Sequence, residues 1–262
     1  MNQFFTNLFS PGELTNEITL FSGWHFMYII LIVGLSIGLA FLMKNKSEKA
    51  KKTVLSVLAI CALAVYVADF FIMPLSQGAI DIDKLPFHIC TLTGIFIPFA
   101  QFNKKFEKIK HVIVVFALVS ALMYITYPGS ALGGVNAFGY KVVQTFVFHG
   151  LTFSWGFMSL ATGSVKLNIK KIWMELCGLV IIALWAAFGN AVYSTPTSHF
   201  DWFFITGSTF PFIPSALMPF VVIAAVFGMC AIIYGLYYAY LAIAKKIANK
   251  KNAPAETQNI EK

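Results

Sequence analysis

Lys44-Asn45-Lys46-Ser47-Glu48-Lys49-Ala50-Lys51-Lys52 places five lysines between two long apolar stretches. The pattern recurs along the chain. Lys104, Lys105, Lys108 and Lys110 form a second run, Lys166, Lys170 and Lys171 a third, and Lys245, Lys246, Lys250, Lys251 and Lys262 a fourth. There is no arginine, and of the 19 basic residues only Lys84 and Lys141 lie outside these runs. Cytoplasmic loops of membrane proteins retain cations, so the four runs are expected on one side of a membrane, the cytoplasmic one.

Composition agrees with that reading. Hydrophobic residues make up 58% and charged residues 11%, and mean hydropathy is +0.76, well above that of a water-soluble domain. A net charge of +8 could suit nucleic acid, but the lysines have no polar domain to present them. Nucleic acid is therefore not expected as a partner, and membrane lipid is, as substrate or as surroundings. Cys61, Cys90, Cys177 and Cys230 all fall in apolar stretches without metal or redox spacing, which argues against a disulfide framework.

Crossing a hydrocarbon core of ~30 Å takes ~20 apolar residues. Seven segments qualify or nearly do, at about 24–43, 53–75, 86–102, 111–127, 141–163, 171–193 and 213–243. The expected fold is an all-α polytopic membrane protein with seven transmembrane helices. Its amino terminus is outside and its carboxyl terminus inside, and its expected location is the plasma membrane. Residues 1–23 form an extracytoplasmic segment without a basic leader, in which Ser10-Pro11-Gly12-Glu13 could start a short interfacial helix. Residues 24–246 form one membrane domain and 247–262 a polar cytoplasmic tail. Gly34-x-x-x-Gly38 admits a homo-oligomer face, but contact with a neighbouring span of the same chain is the favoured expectation.

Ionisable groups inside a bilayer are costly, so each is a candidate site residue. Threading places Asp69 ~9 Å and His149 ~12 Å below the outer surface. His25 and His88 open the first and third spans from outside, and Asn190 ends the sixth. Glu175 and His111 lie near the inner surface. On the fifth span Thr145, His149, Thr152 and Gly156 recur at helical spacing, a polar stripe expected to face protein or a cavity. Asp69 serves equally well as helix glue, and Cys90 alone as a packing residue.

The stretch Leu85-Pro86-Phe87-His88-Ile89-Cys90 resembles the Leu-Pro-x-His-x-Cys signature of the YwaF-like bacterial membrane proteins. His25, His149 and Asn190 fit the same pattern, and the similarity runs from about residue 20 to 240. That family is similar to the transmembrane-protein-164 acyltransferases and, more remotely, to the androgen-induced membrane hydrolases. The resemblance implies acyl chemistry on lipids, with a cysteine or threonine nucleophile and a histidine on another span. By position it assigns those histidines to His149 and His88. The nucleophilic cysteine of the relatives precedes the histidine directly, and here that position is Phe87. Cys90 and Thr91 are the available replacements.

His149 is then the expected base, with Asp69 or Asn190 setting its tautomer and His88 stabilising an oxyanion. His25, Asn190, Thr145 and Thr152 are candidates for contact with substrate. No cofactor is expected. The histidines at 25, 88 and 149 could bind a metal, but their spacing on three spans carries no diagnostic pattern, and none is expected. The competing reading is a small-solute transporter or binding protein, proton-coupled through Asp69 and His149.

Overall fold

Among the described residues, the seven apolar segments each contain one α-helix. α1 spans Gly23–Met43, α2 Glu48–Gln77, α3 Ile89–Phe102, α4 Lys110–Thr126, α5 Tyr140–Ala161, α6 Trp173–Tyr193 and α7 Met218–Asn252. The computed structural model describes residues 16–77, 80–129, 135–195, 199–206 and 213–252. Among them there is no strand; an isolated antiparallel bridge joins Glu17 to Asn136. The expected Ser10–Glu13 helix start lies outside the described residues, as do residues 253–262 of the expected tail.

Helix ends coincide with the lysine runs for a local reason. Asn103 and Asn168 each accept the backbone N–H two residues on, from Lys105 at 2.9 Å and Lys170 at 3.0 Å. These turns compete with helix continuation and bring the chain into a short 3₁₀ turn. At the opposite end, Ile18 N–H donates to the Val135 carbonyl and Ala137 N–H to that of Asn16. The Tyr28 hydroxyl adds a 2.7 Å bond to the Ala137 carbonyl, tying the amino-terminal segment to the α4–α5 connection.

Among the described residues, four helical stretches, Gly23–Met43, Glu48–Leu75, Ile169–Tyr193 and Ser215–Asn249, are long and apolar enough to cross a membrane. Ile89–Phe102 and Lys110–Thr126 are apolar but shorter. Burial separates the two groups. α4 is buried without interruption from Lys110 to Ala121, the signature of a helix enclosed on every side. It packs against α1, α3, α5, α6 and α7, while α5 packs against α1, α2, α3 and α4. The lipid-type faces belong to the flanking helices, which expose Leu35, Phe41, Ile60, Phe71, Leu184 and Leu236. The chain is therefore a multi-pass membrane protein with α4 and α5 at its centre.

Two expectations change in detail. The third segment starts as a helix only at Ile89, because Pro86 and extended His88 (φ −90°, ψ 151°) precede it. Gly34 and Gly38 do not meet a neighbouring span: a Cβ at either would have no atom within 4 Å. The close approaches occur elsewhere. A Cβ on Gly156 would lie 2.9 Å from Leu118 of α4, and one on Gly94 2.6 Å from Phe148 of α5.

Candidate functional site

The polar stripe of α5 turns inward. Thr145, His149 and Thr152 are all buried, and His149 lies against the Tyr124 ring of α4, with centroids 3.9 Å apart and planes 9° from parallel. His149 Nδ1 is 2.8 Å from the Thr145 carbonyl. A carbonyl can only accept, so Nδ1 carries the proton and Nε2 holds the lone pair. That Nε2 is buried with no hydrogen-bond partner. A buried, orientated imidazole with an unengaged lone pair is the arrangement a general base needs.

His88 has the opposite tautomer. Its Nδ1 accepts from the Phe203 amide at 3.3 Å, so in the neutral ring Nε2 carries the hydrogen. The segment it holds is strained, with Phe203 at φ 62° and Phe204 at φ 54°. Asn190 stabilises that strain by two bonds to one residue, accepting from the Trp202 amide at 2.8 Å and donating to its carbonyl at 3.2 Å. Asn190 thus acts on the loop beside His88, through backbone contacts. Such stored strain is commonest where structure is shaped for function.

Asp69 of α2 is 2% exposed and forms an ion pair at 3.0 Å with Lys84, from the 3₁₀ turn before α3. Tyr140 at the start of α5 also hydrogen-bonds Asp69. Lys84 reaches Gln144 of α5 at 3.4 Å, and its own carbonyl accepts from the Tyr66 hydroxyl at 2.8 Å. It lies within electrostatic range of His88, His149 and Cys90. Lys84 is therefore the hub of the cluster, and it was missed as a site residue in the sequence. The signal was present: it stands apart from the lysine runs, on the side where cations are scarce, and so needs an anionic partner.

Cys90 is a partly exposed free thiol in the first turn of α3. His88, the N-cap, supplies no side-chain cap, so it leaves first-turn amides free to act at that thiol. Thr91 is committed differently, donating its hydroxyl to the His88 carbonyl at 2.9 Å. Phe87, directly before His88, is buried. Its ring partners are Trp185 and Tyr193 of α6 and Trp202, and a Cβ on Gly189 would sit 2.5 Å from it.

The remaining expected residues have internal partners. His25 donates from Nε2 to the Ile125 carbonyl at 2.8 Å and accepts at Nδ1 from the Phe21 amide at 3.0 Å. Thr145 donates its hydroxyl to Gln144 at 3.1 Å, and Thr152 to the Phe148 carbonyl at 2.9 Å. Among the described residues no three His, Cys, Asp or Glu side chains converge as metal ligands. Away from this cluster, Glu175 is fully buried and accepts from the Tyr234 hydroxyl at 2.8 Å, between α6 and α7.

A family model described as the TMEM164 family matches residues 20–241, most of the chain. Neither the curated proteins nor the solved structures produced a match.

Proposed function

This chain belongs to the TMEM164 family, and from that premise we propose that it is a membrane-embedded lipid acyltransferase or acyl hydrolase. Its site lies between α2, α3 and α5. The observation that carries the reading is His149, whose buried Nε2 keeps a lone pair with nothing bound to it. In the proposed reaction Cys90 gives its thiol proton to that nitrogen, and the thiolate attacks the carbonyl carbon of a lipid ester. The tetrahedral oxyanion meets the first-turn amides of α3 and the Nε2–H of His88. The C–O bond breaks, the departing alcohol takes the proton from His149, and the acyl group remains on Cys90 as a thioester. Water or a second lipid hydroxyl then accepts it.

Cys90 suits the nucleophile role better than Thr91, whose hydroxyl hydrogen is used on the His88 carbonyl. Lys84 adds positive charge at the site while Asp69 and Tyr140 hold it in place. All seven helices cross the membrane in this reading, with the amino terminus outside. The lysine runs support it, since they sit at the α1–α2, α3–α4 and α5–α6 connections and the end of α7.

Intact-protein mass spectrometry after incubation with isotopically labelled phospholipid tests the proposal. The expected result is a labelled acyl adduct on the wild type, absent from Cys90→Ala and His149→Ala and retained in Thr91→Ala. An adduct that survives Cys90→Ala and disappears in Thr91→Ala would transfer the role to the threonine. No adduct, with lipid species unchanged, would overturn acyl chemistry. Uptake of a solute into proteoliposomes under a pH gradient, abolished by His149→Ala, would then establish the transport reading, in which Glu175 lies beyond the outer cluster.

A further inference from the structure

α3 is short for a membrane crossing. Fourteen residues rise ~21 Å, against a hydrocarbon core of ~30 Å. Its neighbour α2 has 30 residues and continues past it on the lysine side. The α3–α4 turn is thus drawn in beside a longer helix, leaving a recess of about 750 Å³. Leu63 of α2 and Ile95, Pro98, Phe99 and Phe102 of α3 line it, and Lys104 stands at one end.

The turn is held there by packing. Phe106 stacks on Phe99 with centroids 5.7 Å apart and also lies 6.1 Å from Phe96. Asn103 fixes the backbone by accepting from the Lys105 amide at 2.9 Å. The result is a largely apolar recess open to the side, with Asn103 and Lys104 in its lining where α3 ends. Phe99 and Phe102 remain about half exposed, at 48% and 54%.

We propose that this recess binds one anionic phospholipid from the lysine-side leaflet, with its phosphate at Lys104 and an acyl chain along Leu63, Ile95, Phe99 and Phe102. Charge complementarity selects the headgroup, and the mismatch between α3 and the bilayer supplies the room for the chain. Lipid at this point fills what would otherwise be a gap beside a helix too short to span alone. The site is separate from the His149 cluster, which lies toward the other ends of α2 and α3, and it does not depend on acyl chemistry.

Native mass spectrometry of the purified full chain tests this, after exchange into equal amounts of phosphatidylglycerol and phosphatidylcholine. The expected result is retention of one phosphatidylglycerol in preference to phosphatidylcholine. Lys104→Gln should lower that preference about fivefold, the scale of one lysine near an anionic surface. Lys105→Gln, on the same turn, should leave it unchanged. Ile95→Trp, which fills the recess, should reduce retention of both lipids. Circular dichroism and gel filtration confirm that each variant is folded before comparison. Equal retention of the two lipids by the wild type would overturn the proposal. So would equal losses in Lys104→Gln and Lys105→Gln, which would reduce the effect to diffuse surface charge.

Discussion

The two histidines of the site differ because their backbone partners differ. A carbonyl beneath His149 forces the proton onto Nδ1, whereas an amide beside His88 forces it onto Nε2. One ring is thereby set to accept and the other to donate. Beside them, Lys84 balances a carboxylate that is only 2% exposed. Removing one member of such a pair leaves an uncompensated buried charge, a loss of about 3 kcal/mol or more. Lys84→Met should therefore lower stability by that amount in detergent unfolding. Adding Asp69→Asn should recover most of it, because the stranded charge disappears. If the double variant melts no higher than Lys84→Met alone, the ion pair is not what holds this turn.

Helix contacts are decided by where a backbone can approach closely. Gly189 lets the Phe87 ring lie directly on α6, and an added methyl would meet it at 2.5 Å. Gly189→Ala should destabilise by about 1–3 kcal/mol, as overpacking of a filled interior does. Gly34→Ala and Gly38→Ala, facing open space, should change the stability of the isolated chain by no more than about 0.5 kcal/mol. Thermal melts of the three variants in one detergent compare them directly. A loss at Gly34 as large as that at Gly189 would mean that the α1 face is packed against something in solution. The same principle explains α5. Its polar and small residues lower its hydropathy, yet Gly156 admits Leu118 of α4 and Gly150 admits Ile32 of α1 at short range, and α5 packs at the centre of the bundle.

At the scale of the molecule, lysine-rich connections alternate with lysine-poor ones along the seven α-helices of the described residues. If all seven cross, positions on the two sets of connections face different compartments. In a chain whose four cysteines are replaced by alanine, Ile82→Cys should react with a membrane-impermeant maleimide on intact cells. Lys49→Cys and Lys105→Cys should react only after permeabilisation. Labelling of Lys105→Cys from outside would mean that α3 and α4 do not complete their crossings, and the seven-span topology would fail.

Much of this protein is written in local patterns. Helix positions follow from apolar stretches interrupted by Asn–Lys turns, because a backbone in lipid must satisfy its own hydrogen bonds and cannot carry such turns through the membrane. The candidate histidines at 88 and 149 were also visible, since an imidazole amid apolar residues is expensive enough to stand out. What the pattern did not contain was orientation between distant segments. His25 and Asn190 look as costly in sequence as His149, yet both have their polar atoms bound to backbone, His25 to Ile125 and Phe21 and Asn190 to Trp202. The burial of α4, the pairing of Lys84 with Asp69 and the open face of Gly34 likewise depend on which helix lies beside which. Hydropathy and charge are properties of each residue with its solvent, whereas these depend on three-dimensional neighbours, and only the packed bundle supplies them.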